Sequence, residues 1–231
     1  MSVYCNYLEI FRHGITTDYR RPAKRVAFKS TRETSKQPER DLCLLAFFLG
    51  TPCTTLEINK IRISDLMART GRLKASFVID GELSGQGEDR ALHLKSKRLI
   101  GYLEDYLRYR VKNKVGMGKT TDYRSLDPEQ ELFFSSQGAG YSIARREMKK
   151  GTEVFACDAL NRHIKQLLER AGIESPSIQS GRRTFAVKLK RKGYDVAHIH
   201  YLLGNKSLST TKKLLTSDPV DMCGLMAAAF D

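Results

Sequence analysis

Apolar positions change their spacing several times along this 231-residue chain, and each change marks an element. Over 39–50 they crowd together as Leu42, Leu44, Leu45, Phe47, Phe48 and Leu49, which predicts a largely buried helix ending at Gly50. Thr51-Pro52-Cys53-Thr54-Thr55 interrupts the pattern, with Pro52 suited to a turn or a first helical position, and a short helix follows over 56–61. Residues 75–79 read as a strand and 90–94 as its alternating partner, joined by a polar, glycine-containing connection over 80–89. Helical spacing returns over 98–110 (Leu99, Ile100, Leu103, Tyr106, Leu107) and over 157–171 (Leu160, Ile164, Leu167, Leu168), the second closed by Gly172. A basic loop over 112–128 and a short strand at 131–135 lie between those two helices. Helices over 183–192, 196–203 and 208–215 follow, and an apolar tail over 222–230 predicts a final packed helix. The sum is an α+β fold, mainly helical, with a small antiparallel β-sheet.

Residues 1–38 stand apart from this pattern. They are polar, weakly periodic and basic (Arg20, Arg21, Lys24, Arg25, Lys29, Arg32, Lys36), and are expected to be an N-terminal arm ahead of a domain over 39–231. Charge now changes the picture. Forty Lys+Arg against 26 Asp+Glu leave a net +14, and the excess is clustered, in the arm and again over 182–213. In the second cluster Arg182, Arg183, Lys188, Lys190, Arg191, Lys192, Lys206, Lys212 and Lys213 face a single acid, Asp195. Such clusters favour a polyanion, because each phosphate neutralised releases condensed counterions. Double-stranded DNA is the partner this predicts. A membrane is not, because no apolar run approaches the ~20 residues needed to span one and no basic amphipathic helix carries Trp or Phe anchors. Residues 1–12 lack a signal-peptide layout, and the five cysteines are scattered without a CxxC pair, so a cytoplasmic protein with reduced thiols is expected.

Several apparent motifs carry no chemistry. Gly116-Met117-Gly118-Lys119-Thr120 resembles a phosphate loop, but Asn113 stands where GxxxxGK[ST] needs glycine and a basic helix, not a buried strand, leads into it; a flexible surface loop is expected. His198 and His200 lie two apart on a helix and face different ways, which does not make a metal pair. No metal and no cofactor are called for.

The stretch Gln179-Ser180-Gly181-Arg182-Arg183-Thr184-Phe185-Ala186, followed by Leu202-Leu203-Gly204-Asn205-Lys206-Ser207-Leu208-Ser209-Thr210-Thr211, carries a pattern of a different kind. It resembles the C-terminal signature of the tyrosine recombinases (phage integrases): His-x-x-Arg, Thr-Phe-Ala, Leu-Gly-His, Ser-x-x-Thr-Thr, and then the nucleophilic tyrosine. Upstream, Glu57 and Asp65 keep the spacing of that family's first box, and Gly85-Gln86-Gly87 sits where its hairpin lysine belongs. The resemblance covers roughly 39–231 and implies the family's catalytic-domain fold. It also exposes losses. Thr54 occupies the place of the first arginine, Gln86 that of the lysine, Gln179 and Asn205 those of two histidines, and Leu214 that of the tyrosine; Arg182 is kept.

These substitutions matter because attack of a tyrosine on a phosphodiester builds charge on the phosphate oxygens, which positioned cations must meet. The resemblance therefore implies a DNA-binding protein that does not cut DNA, an accessory, regulatory or structural factor of a mobile element. Arg182 and Arg183 at a helix N-terminus would grip phosphate, joined by Gln179, Asn205, Lys188, Lys206, Lys212 and, in the arm, Arg20, Arg21, Lys24 and Arg25. A lone domain with an arm resembles the family's short members and would bind more tightly on self-association or within a larger nucleoprotein assembly. Two other readings compete: an active recombinase or nicking enzyme with a rearranged site, drawing on Tyr194 or Tyr201, and a protein-interaction module with a basic face.

Overall fold

The structure is a computed structural model that describes residues 21–81, 89–135, 138–148 and 152–216. In chain order the elements are helices α1 (Arg21–Thr34), α2 (Pro38–Gly50), α3 (Thr55–Lys60) and α4 (Ile63–Leu66), strands β1 (Ser76–Ile79) and β2 (Arg90–His93), and helix α5 (Lys97–Lys112). After a 3-10 turn at Asp122–Ser125 come strands β3 (Ala144–Met148) and β4 (Thr152–Ala156), then helices α6 (Asp158–Arg170), α7 (Ser180–Lys190), α8 (Val196–Leu203) and α9 (Leu208–Thr216). The fold is mainly helical α+β with two small antiparallel hairpins.

Helix α2 is the centre of the larger core. Every residue from Arg40 to Leu49 is buried, as the crowding of apolar positions predicts. Pro38 opens the helix where its missing N–H costs nothing, and Glu39 and Asp41 complement the positive N-terminal end. Thr51 closes it, its amide and hydroxyl both donating to the Phe47 carbonyl at 3.1 and 2.7 Å. Helices α1, α5, α6 and α7 pack around α2. Phe47 meets Phe133 edge-on at 5.8 Å and Phe133 stacks on Tyr106 at 5.7 Å, the geometries that aromatic quadrupoles prefer.

The stretch expected to be a basic arm contains α1, which is part of this core. Ala27 and Thr31 are fully covered, Phe28 stacks on Tyr102 at 5.1 Å, and the Arg98 guanidinium lies 5.0 Å from the Phe28 ring. Ala23, Ala27, Phe28 and Thr31 form a stripe of helical spacing that the surrounding Lys and Arg obscure in the sequence. Arg20 lies outside the described residues, as do the 222–230 tail and Gln86.

Burial of α2 also encloses charge. Arg40 Nε donates to Asp41 Oδ1 at 2.8 Å, and Asp41 further accepts from Ser35 Oγ at 2.5 Å and pairs with His163 Nε2 at 3.1 Å. Tyr141 Oη meets His163 Nδ1 at 2.5 Å. Burial alone would raise the Asp41 pKa, but hydrogen bonds and charge from His163 and Arg40 outweigh it and hold the carboxyl at about 2.

Strands β1 and β2 pair Phe77 with Leu92 and Ile79 with Arg90, and these side chains form the inward face. The 131–135 segment is not a strand. Leu132, Phe133 and Phe134 are buried, but ladder contacts are confined to bridges at Glu131 and Phe134. Nor is 112–128 a loosely held loop. It wraps the fully buried Arg110, which donates to the carbonyls of Val115, Glu131 and Leu132 and lies 4.5 Å from the Phe134 ring centre. Arg124 pins its far end to both oxygens of Glu104 at 2.5 and 3.0 Å. The β3–β4 hairpin lies outside the sequence expectation, which carried straight into α6.

Helices α7, α8 and α9 form a second, smaller core of Ala186, Val187, Ile199, Leu203, Leu214 and Leu215. Its join to the first is close. A Cβ on Gly181 would lie 2.3 Å from the Phe48 carbonyl oxygen, so only glycine lets the first turn of α7 rest on α2.

Candidate functional site

A polar cluster forms where the two cores meet. It starts at Thr54, whose hydroxyl accepts from the Glu57 amide at 3.1 Å while its own amide donates to Glu57 Oε2 at 2.7 Å. This reciprocal capping starts α3 and commits Thr54 to a structural task. It also turns the Glu57 carboxylate inward, where it is 5% exposed. There Oε2 accepts a second bond, from Arg90 Nη2 at 2.8 Å. Arg90 Nε donates to the Leu202 carbonyl at 3.1 Å, tying the β1–β2 hairpin to the end of α8.

Arg182 enters from the first turn of α7. Its Nη2 donates to the Leu203 carbonyl at 2.5 Å and to Asn205 Oδ1 at 2.8 Å. Asn205 Nδ2 in turn donates to Thr211 Oγ1 at 2.8 Å, and His200 Nδ1 lies 3.0 Å from the same hydroxyl. Burial lowers the Arg182 pKa from the ordinary arginine value, with Glu57 opposing that shift and Arg90 adding to it. Cys53, in the same neighbourhood, has its thiol pushed up to about 12 by burial, with Glu57 adding to the shift, so it is no nucleophile. Gly204, at φ +63°, closes α8 in the left-handed region and bonds back to His200 and Tyr201. Beside it opens a cleft of about 250 Å³ lined by Asp89, Arg90, His200, Tyr201, Gly204, Asn205 and Lys206.

The residues singled out in the sequence separate into two groups. Arg182, Asn205 and, through Glu57, Thr54 are drawn into this cluster. Arg183 is also buried, at 7% exposure, and its backbone amide donates to Gln179 O. The expected open pair of guanidinium forks is therefore corrected: both arginines are packed, and the Arg183 amide is already bonded within α7. Asn205 likewise spends its amide on Arg182 and Thr211 rather than presenting it to solvent. Gln179, Lys188, Lys206 and Lys212 are exposed, as is Arg25, while Lys24 is half-buried on α1. Arg21 opens α1. Leu214 is 8% exposed and belongs to the second core. Tyr194 and Tyr201 are 55% and 66% exposed.

Arg90 was not singled out from the sequence, although the signal was present. Strand alternation places it on the same face as Leu92, and an arginine on the apolar face of a strand must find a buried partner. Among the described residues no group of His, Cys, Asp and Glu is placed to hold a metal, and no helix is long and apolar enough to cross a membrane.

Comparison with known proteins gives this arrangement its setting. The sequence profile of the phage integrase family matches residues 24–219, and the chain belongs to that family. No curated protein sequence matches it. Among solved structures, the XerA recombinase superposes with a TM-score of 0.63 at 17% identity, over 94% of this chain and 63% of that one. The XerH site-specific recombinase, solved with a palindromic difH substrate after cleavage, gives 0.59 at 19% identity, over 93% of this chain and 53% of that one. The Tn1549 transposon integrase, solved with a circular intermediate DNA, gives 0.55 at 12% identity, over 94% and 67%. The chain thus spans 53 to 63% of the length of the first two, and likeness at these identities is likeness of fold.

Proposed function

We propose that this protein binds duplex DNA without cutting it, as an accessory, regulatory or structural factor acting on the DNA of a mobile element inside the cell. The observation that carries the proposal is Leu214. At the position where the family resemblance puts the nucleophilic tyrosine, the side chain is aliphatic and packs in the core of α7–α9. Leucine has no nucleophilic atom, and Thr54, where the resemblance puts an arginine, is occupied in capping α3. Support for DNA as the partner comes from the family, from an integrase of like fold solved with a circular intermediate DNA, and from the exposed Lys188, Lys190, Lys206, Lys212 and Lys213 on α7 and α9 and beside them. Self-association, or entry into a larger nucleoprotein assembly, belongs to the same proposal, since linked sites raise the effective concentration of each on its DNA.

Titration of a fluorescent duplex at rising salt tests the binding half of the proposal. Log affinity should fall linearly against log salt with a slope of several units, one for roughly each phosphate neutralised. A flat dependence would contradict it and favour the protein-interaction reading.

One observation favours a second reading. Tyr201 is exposed and shares the cleft with Arg90, His200 and Lys206, which together supply a hydroxyl, a base and cations. A rearranged strand-transfer site would use that tyrosine, and a protein–DNA adduct mapped to Tyr201 is its signature.

A further inference from the structure

We propose that the cleft beside Gly204 is a phosphate-binding site whose buried donor is Arg90. This deepens the DNA-binding reading and rests on it for the source of the phosphate. Arg90 is 4% exposed, and two of its nitrogens are committed to Glu57 and to the Leu202 carbonyl. The third, Nη1, is buried and has no hydrogen-bond partner among the described residues. A buried donor without a partner costs roughly as much as a hydrogen bond is worth, so a ligand that supplies an acceptor binds with that penalty relieved.

The surroundings select the ligand's charge. Arg90 and Arg182 set two permanent positive charges around Glu57, the carboxylate that acts on both. On the rim, Lys206 is exposed and Asp89 accepts from the Gly81 amide at 3.0 Å. Asn205 and His200 add polar groups to the same wall. A tetrahedral oxyanion suits a guanidinium edge with further donors around it.

Gly204 gives the geometry its sharpest constraint. A Cβ there would come within 2.7 Å of Arg90 Nη1 and 3.0 Å of Cζ, so the guanidinium lies directly against the backbone of the left-handed turn. The turn that leads from α8 to Lys206 and the guanidinium that reaches in from β2 therefore build one wall together.

The test uses the whole chain and two readouts. First, inorganic phosphate is titrated into the labelled protein while the arginine side-chain Nε–H resonances are followed. The Arg90 resonance should shift saturably; an Arg90 resonance that stays in place while those of exposed arginines move would overturn the proposal. Second, Arg90→Lys, which keeps a charge for Glu57 but loses the fork, is compared with the unmodified protein on a duplex across a salt series. Affinity should fall ~10-fold and the log–log slope by about one, measured below the melting temperature of the variant so that both proteins are folded. Equal affinity and slope at every salt would also overturn it. If the unmodified protein fails to bind duplex at all, the DNA reading is lost and the phosphate titration alone decides the site: saturable movement of Arg90 upholds it, none ends it.

Discussion

Glu57 Oε2 receives the Thr54 amide and the Arg90 guanidinium at once, so a single buried carboxylate oxygen starts a helix and neutralises a cation from a distant strand. Removing one member of such a pair strands the other, which typically costs roughly 3–5 kcal/mol. Glu57→Ala should therefore destabilise the fold by about that much in urea melts, whereas Glu57→Gln, which keeps the acceptor, should cost less. Equal losses would show that charge, not the acceptor, is what matters. Asp41 gives a second prediction at this scale. Its carboxyl is held at about 2 against an ordinary 3.8, so its contribution is fully present above the ordinary value and is lost as pH falls through about 2. The shift corresponds to about 2 kcal/mol, and Asp41→Asn should flatten the stability profile across that interval. An unchanged acid limb in the variant would contradict the assignment.

Among the elements, those with one clear apolar face were legible in the sequence, and the others were not. The crowded apolar run of α2 and the stripes of α5 and α6 gave helices within a residue or two, and α8 was placed at its observed ends. The β3–β4 hairpin was missed because Arg145, Arg146, Glu147, Val154 and Phe155 are all exposed, leaving no alternation between an inner and an outer face. Helix α1 was missed because a narrow stripe of small residues is swamped by charge. At the site, the spacing of Glu57, Arg182, Gly204 and Asn205 was readable, but the burial of Arg182 and Arg183 and the entry of Arg90 were not. Both depend on how two separately packed units meet, which no local pattern encodes. Gly181 holds that junction. Gly181→Ala should push α7 off α2, because the new Cβ would lie 2.3 Å from the Phe48 carbonyl oxygen, and a loss of roughly 1–3 kcal/mol is expected in thermal or chemical melts. Wild-type stability in that variant would mean the contact is slack.

Across the whole molecule, two apolar cores are joined through a charged seam, and the cleft beside Gly204 opens at that seam. Among the exposed charged residues of α7, α9 and the turns around them, lysines and arginines far outnumber the single acid, Asp195. The central claim, binding without cleavage, is tested most directly by one experiment with two lanes: a nicked suicide duplex incubated with the unmodified protein, run once natively and once under denaturing conditions. The account predicts a salt-sensitive native complex and no band that survives denaturation, and the same outcome for Leu214→Tyr. A hydroxyl placed at 214 would still face Thr54 where the family resemblance puts an arginine, and one missing donor of that kind costs ~10²–10³ in rate. A denaturation-resistant adduct formed by the unmodified protein, mapped to Tyr201 or to any other tyrosine, would contradict it.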